Sequence, residues 1–328
     1  MIEDLESLSG VGDATAKKLI EAGYPTVESL AVTPLRELVE KAKLGEETAR
    51  KVIESARKAV GINFATAQEL WEKRQAKKRC STGSKKLDEI LGGGIESQAI
   101  TEFIGEYGTG KSQLCMDLSA RVQLPPEQGG LGGNALFIDS EGTFSPERVY
   151  QMATAMGLDP KQALTNIIVS RVYTSDHQSL IIDNLAKVCA EENVKLVAVD
   201  SMMSHFRSEY LGRENLSERQ QKLNSCLHKL LRLAEIYNMA VVLTNQVQAN
   251  PQSFYGDPNR PAGGNIMAHA CTHRVYLRKG KENSRIARVI DSPYLPEEPV
   301  RFKITDKGIE DDTNEKNGED GIGKEINS

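Results

Sequence analysis

Eight consecutive residues, Gly105-Glu106-Tyr107-Gly108-Thr109-Gly110-Lys111-Ser112, satisfy the spacing G-x-x-x-x-G-K-[ST] directly after an apolar run, Ala99 to Ile104, that reads as a strand. Glycines at this spacing let successive backbone N–H groups turn inward around an anion. The helix expected from Lys111 aims its positive dipole end at the same point. The chemistry this suits is phosphate binding. Lys111 can reach the β and γ phosphates of a nucleoside triphosphate and Ser112 can offer its hydroxyl to Mg²⁺, so ATP and Mg²⁺ are the expected ligands.

Three other residues are placed to act on such a nucleotide. The apolar run Lys195-Leu196-Val197-Ala198-Val199 ends in Asp200, as expected of a carboxylate that holds the metal through water. Ala135-Leu136-Phe137-Ile138-Asp139 leads to Ser140 and Glu141, which puts a carboxylate at the carboxyl edge of a sheet, where open α/β folds bind ligands. Glu141 is the candidate base that orients and deprotonates the attacking water; the plain alternative is an exposed loop glutamate. A fourth run ends in Thr244-Asn245-Gln246, and the neutral amide of Gln246 is a candidate sensor of the γ phosphate. Glu141, Lys111 and Gln246 are thus the expected catalytic set.

The elements that must position these residues follow from the pattern around them. Short β-rich runs at 99–104, 135–138, 167–169, 196–199 and 240–243 alternate with helical stretches, which implies βαβ units and a mostly parallel sheet covered on both faces. Residues 1–62 differ: Leu5, Leu8, Leu19 and Ile20, and then Ala49, Val52, Ile53 and Ala56, recur at helical spacing, as in a small all-α domain. Leu8-Ser9-Gly10-Val11-Gly12 with Ala16-Lys17-Lys18-Leu19 resembles a helix-hairpin-helix, a module that holds the DNA backbone without reading sequence. From Glu72 to Lys86 seven basic residues face one acid, suggesting a solvated connector with a flexible point at Gly83. The expected organisation is therefore a helical domain over 1–62, a linker over 63–86, an α/β core over 87–309, and a disordered acidic tail over 310–328.

Composition sets outer limits. With 328 residues, 39% hydrophobic and 27% charged, the chain can bury a real core, and collagen-like or wholly disordered classes are excluded. No run approaches a membrane span and the start lacks a signal-peptide pattern, so a cytoplasmic protein without membrane partners is expected. Cys80, Cys115, Cys189, Cys226 and Cys271 are odd in number and widely spaced, which reads as reduced packing residues.

The nucleotide motif and several independent stretches resemble the archaeal RadA family of strand-exchange recombinases, in the RecA superfamily, over essentially residues 1–309. The stretches are Gly105 to Gln113, Phe137 to Arg148, Val199 to Arg213, Thr244 to Val247 and Ala287 to Pro296. The resemblance implies a RecA-like P-loop ATPase core, preceded by the helix-hairpin-helix domain, whose protomers assemble as a helical filament or ring. Single-stranded DNA and homologous double-stranded DNA are the implied partners. It places Gln113 and Arg148 near the nucleotide and makes Asp291 to Pro296 a cap over a neighbour's ATP. It assigns DNA contact to Arg207, Tyr210, Arg213 and Arg219, and to a second loop, Gln248 to Asn265, with Phe254 and Gly264, followed by His269. It also makes Phe64-Ala65-Thr66-Ala67 a match to the family's Phe-x-x-Ala polymerisation motif, with Phe64 and Ala67 docking into the next protomer.

Two other functions share parts of this pattern: a recombination mediator that caps filaments with little ATP turnover, and a hexameric RecA-like helicase. The formal charge of −5 opposes DNA binding at first sight, yet residues 310–328 carry seven acids and two lysines, which leaves the rest balanced. Within that balanced remainder, Arg274 to Arg288 holds six basic residues against one acid, Glu282, so local positive surfaces survive.

Overall fold

The computed structural model describes residues 2–60, 65–212, 214–249, 259–281 and 283–313. It divides into two compact units, Met1–Lys77 with Ile181–Asn193, and Lys78–Leu180 with Val194–Ser328. Phe64, Arg213, Phe254 and residues 314–328 lie outside the described residues.

In the first unit, α1 (Ile2–Glu6), α2 (Asp13–Glu21), α3 (Val27–Ala31), α4 (Leu35–Ala42) and α5 (Glu46–Val60) enclose one apolar core. The residues picked out by helical spacing supply it: Leu5, Leu8 and Leu19 meet Ala49, Val52, Ile53 and Ala56, and Ile20 packs at its margin. Each fully buried leucine stabilises this small unit by roughly 2 kcal/mol. The α1–α2 turn needs a glycine at Gly10, whose φ is +89°, and Gly12 caps α2 so that its carbonyl accepts from the Thr15 and Ala16 N–H groups. This is the hairpin expected from Leu8 to Leu19. A reciprocal box between Thr66 and Glu69 starts α6 (Ala67–Gln75), whose first residue is Ala67, exposed like Leu70 and Trp71.

The second unit begins with β1 (Arg79–Cys80), which pairs antiparallel with β2 (Ile95–Glu96), and α7 (Lys85–Ile90) lies between them in sequence. The basic connector is exposed over residues 72–76, as a solvated segment should be, whereas from Arg79 onward it is packed into this unit. Arg79 is ion-paired with the buried Glu96 at 3.1 Å, and Asp88 accepts hydrogen bonds from the Ser81 and Thr82 hydroxyls and the Thr82 N–H. Gly83 is a packed turn instead of a hinge, with φ +93°, and a Cβ there would lie 2.5 Å from both the Ile309 carbonyl and the Arg121 guanidinium.

The remaining elements are β3 (Ala99–Gly105), α8 (Lys111–Arg121), β4 (Asn134–Asp139), α9 (Pro146–Ala155), α10 (Pro160–Thr165), β5 (Ile167–Arg171), α11 (Ser175–Glu191), β6 (Val194–Asp200), α12 (Ser204–Glu209), α13 (Leu216–Tyr237), β7 (Ala240–Asn245), β8 (Val247–Ala249), β9 (Asn259–Pro261), α14 (Gly264–Ala270), β10 (His273–Lys279), β11 (Ser284–Asp291), β12 (Pro299–Thr305) and β13 (Gly308–Asp311). The main sheet runs β13-β12-β11-β10-β3-β7-β6-β4-β5. From β10 to β5 every neighbouring pair is parallel, and β10 to β13 add an antiparallel meander at one side. All five expected strands are present, and β3 is buried along its whole length, as a strand covered on both faces must be. Phe103, Phe137, Leu118, Leu196 and Phe302 share the core beneath α8 and α9, and all five cysteines are buried. No helix among the described residues is long and apolar enough to cross a membrane.

The sequence places the start of the acidic tail at Glu310; the structure carries order further. Glu310 and Asp311 belong to β13 and Asp312 is 6% exposed. Each carboxylate has a specific partner: Thr305 Oγ1 for Glu310 at 2.6 Å, Ser84 Oγ for Asp311 at 2.6 Å, and Lys303 Nζ for Asp312 at 2.7 Å. The same strand is held to α8 by the Ile309 N–H, which donates to Asp117 at 3.0 Å; burial raises the pKa of this carboxyl. Gly83→Ala should disrupt the turn that faces this strand, through a left-handed backbone and contact with the Ile309 carbonyl. We expect a loss of about 3 kcal/mol in unfolding free energy, read by urea titration.

Candidate nucleotide-binding site

Strand order brings the chemistry together. In the parallel array, β7 lies between β3 and β6, and β6 lies beside β4, so the carboxyl ends of these four strands deliver the glycine loop, Gln246, Asp200 and the Glu141 turn to one edge. Asp139 and Asp200 are direct cross-strand neighbours. There Tyr107, Gly108, Gly110, Lys111, Ser112, Gln113, Glu141, Thr143, Asp200 and Gln246 line a cavity of about 340 Å³.

The loop is shaped for an anion. Gly108 and Gly110 have φ +77° and +99°, and Gly110 caps α8. Lys111 folds its ammonium onto the Gly105 and Glu106 carbonyls, at 2.8 Å each. Burial pulls its pKa down, against the opposing pull of Asp200 and Glu141. Gly105, Glu106 and Thr109 form the loop without lining the cavity: Thr109 Oγ1 donates to the Glu106 carbonyl at 2.9 Å, and a Cβ at Gly105 would strike the Leu277 carbonyl at 2.5 Å.

Asp200 is 2% exposed and accepts hydroxyl hydrogen bonds from Thr244 and, at 3.1 Å, from Thr143. With the Ser112 hydroxyl on the same cavity, this oxygen donor set fits a hard divalent cation such as Mg²⁺. Glu141 stands at the mouth, where its Oε1 accepts from Gln246 Nε2 at 2.9 Å, so the expected base and the expected sensor touch each other.

The residue that places Glu141 is Asp139, to which sequence reasoning gave no role. Its carboxylate, 4% exposed, accepts from the N–H groups of Glu141, Gly142, Thr143 and Phe144 at 2.7–3.3 Å, and Arg171 pairs with it at 3.2 Å. A strand-end aspartate followed by Ser-Glu-Gly-Thr was the available signal. Also missed was Arg285, which lines the cavity with Asn283 and Ile304; its Nε is buried without a hydrogen-bond partner, and burial lowers its pKa.

Other expected residues fall differently. Gln113 lines the cavity and accepts from Arg148 Nε at 2.7 Å, but Arg148 turns its remaining nitrogens to Gln151 and the Thr305 and Asp306 carbonyls and does not line the cavity. Asp291, at the end of β11, and Pro296 are exposed and lie outside this cavity, as does the exposed His269 near the end of α14.

A second cavity of about 500 Å³ adjoins the first through a shared wall residue, Gln246. Its lining includes Ser201, Arg207, Tyr210, Gly212, Arg219, Gln246 and Gln248. The first expected DNA segment is largely helical, not a loop: Phe206 is buried in α12 beside Arg207, and Arg219 belongs to α13. Arg219 Nε is buried there without a hydrogen-bond partner. Tyr210 is held from two sides, its ring 6.4 Å from that of Phe206 and 5.2 Å from Lys222 Nζ, which also bonds its hydroxyl. Of the second expected DNA segment, Gly264 opens α14 with φ +59°.

Fold and site together define a P-loop nucleotide-binding protein with an appended helix-hairpin-helix domain. Residues 73–312 match the Rad51 family, and residues 2–58 match the SAM-like helix-hairpin-helix tandem. A relative in Metallosphaera sedula, described as DNA repair and recombination protein RadA, is 51% identical over 311 residues, 94% of this chain and 96% of that protein. The chain belongs to the Rad51 family.

Replacing Asp139 with asparagine removes a charged acceptor from four backbone N–H groups. Asp139→Asn is expected to lower unfolding free energy by about 2 kcal/mol in urea titrations.

Proposed function

We propose that this protein is a DNA-dependent ATPase that assembles on single-stranded DNA in the cytoplasm and catalyses homologous pairing and strand exchange in recombinational repair. The observation that carries the reading is Gln246, bonded to Glu141 in the nucleotide cavity and lining the neighbouring cavity that holds Arg207 and Arg219. Membership of the Rad51 family, a family of RecA-type ATPases, and the name of the M. sedula relative support it.

In this reading the triphosphate binds the backbone N–H groups of the glycine loop, and the Lys111 ammonium, now held by the Gly105 and Glu106 carbonyls, turns to the β and γ phosphates. Ser112 and Asp200 would hold Mg²⁺, which when bound neutralises phosphate charge. Glu141, fixed by the Asp139 cradle, orients a water for in-line attack on the γ phosphorus and takes its proton as the bond to the β–γ bridging oxygen breaks. Gln246 is neutral, so it can bond phosphate oxygen without competing for that proton. Arg207, Arg213 and Arg219 offer charge to the DNA backbone, and base pairing between strands supplies the sequence recognition. Phe64 and Ala67 join protomers, and Asp291 to Pro296 cover the neighbour's nucleotide.

Single-stranded DNA should raise the rate of Mg²⁺-dependent ATP hydrolysis by at least about tenfold, and Lys111→Ala should abolish both the basal and the stimulated rate. A rate unchanged by DNA at every salt concentration, with nucleotide still bound, would instead favour the filament-capping mediator.

A further inference from the structure

Glu102 lies in the middle of β3, fully buried, and lines neither cavity. A carboxylate in the centre of a sheet is costly, and an apolar residue would fill the position without that desolvation. Both of its oxygens are engaged: Arg274 Nε of β10 donates to Oε2 at 2.6 Å, and Asn245 Nδ2 of β7 donates to Oε1 at 2.7 Å. Asn245 Nδ2 also donates to the Ala262 carbonyl at 2.7 Å, while Asn245 Oδ1 is buried without a partner. The amide is therefore oriented only through its donors. Turning it over would set its oxygen against the Glu102 carboxylate.

Those donors hold the point where β7 passes into Gln246. The Ala262 N–H donates to the Gln246 carbonyl at 3.0 Å, and β8 and β9 pair immediately beyond. The connections form one chain, from Arg274 and Glu102 through Asn245 to Ala262, and from there to Gln246 and Glu141. What a carboxylate supplies here and an aliphatic side chain cannot is a fixed direction for Asn245, and with it a fixed backbone under Gln246.

We infer that Glu102 is a positioning residue that acts through Asn245 to set Gln246 between the two cavities, and is thereby needed for DNA to stimulate hydrolysis. The inference rests on the proposed DNA-stimulated ATPase activity. Arg274 neutralises the carboxylate and keeps it usable as an acceptor.

The test is a mutant cycle read by steady-state kinetics with and without a saturating single-stranded oligonucleotide, on the full chain. The proteins are wild type, Glu102→Gln, Gln246→Ala and the double variant. Glu102→Gln should leave KM for ATP within about twofold and lower the DNA-stimulated kcat about tenfold, but change kcat less than about twofold in the Gln246→Ala background, where the path is already cut. Equal losses in both backgrounds, or an unchanged stimulation ratio with a lowered Tm, would overturn the inference and leave Glu102 a support of the fold only. If Glu102→Gln does not fold, Asn245→Ser enters the same cycle, since it removes both donated bonds without touching the ion pair, and the same two outcomes decide. A wild type that DNA does not stimulate overturns the functional reading itself, and the inference with it.

Discussion

The constraint on which the site depends is the side-by-side ending of parallel strands β3, β7, β6 and β4. Neighbouring strands lie about 4.8 Å apart, so residues from four distant parts of the chain reach one edge with no further device. Lys111, Gln246, Asp200 and Glu141 span more than a hundred positions in sequence and share one cavity because of it. Polar contacts then set each group within that edge. Asp139 gathers the Glu141 turn by its backbone, Thr143 and Thr244 point the Asp200 carboxylate, and Glu102 orients Asn245.

Gln246 is the narrow point of the arrangement, because it directly follows β7 and is the wall between two cavities. Its bond to Glu141 gives a physical meaning to coupling: a ligand that moves the amide in one cavity alters the partner of the Glu141 carboxylate in the other. The first cavity sets two cations against the Glu141 and Asp200 carboxylates, and the second is lined by cations without a carboxylate among its lining residues. Lys111 and Arg285 face the first cavity, and Arg207 and Arg219 the second, with a buried unpartnered Nε on both Arg285 and Arg219. A formal charge of −5 describes neither cavity.

Much of this was legible in the sequence wherever the chemistry is contiguous. Gly105 to Ser112 is a local object, and apolar runs with terminal polar residues located Asp200, Glu141 and Gln246. Helical spacing named most of the core of the first unit. What escaped depends on partners far away in sequence. The composition of Glu310 to Asp312 suggested a tail, because nothing local announces Ser84 and Lys303 as their partners. Gly83 suggested flexibility until Ile309 and Arg121 closed around it. Arg207 suggested a loop, because the burial of Phe206 that anchors α12 depends on tertiary packing. Arg148, given a family role near the nucleotide, bonds Gln113 at the cavity wall, but its other contacts, to carbonyls more than 150 positions away, are not announced by the sequence.

Coupling through one residue has a direct thermodynamic consequence, since binding free energies linked through a shared element are reciprocal. The most direct test is the affinity of the protein for a fluorescent single-stranded oligonucleotide, measured at fixed salt with and without a non-hydrolysable ATP analogue and Mg²⁺, for wild type and Gln246→Ala. The account predicts that the analogue tightens DNA binding of the wild type by at least about tenfold and leaves that of Gln246→Ala nearly unchanged. Equal tightening in both proteins would contradict it.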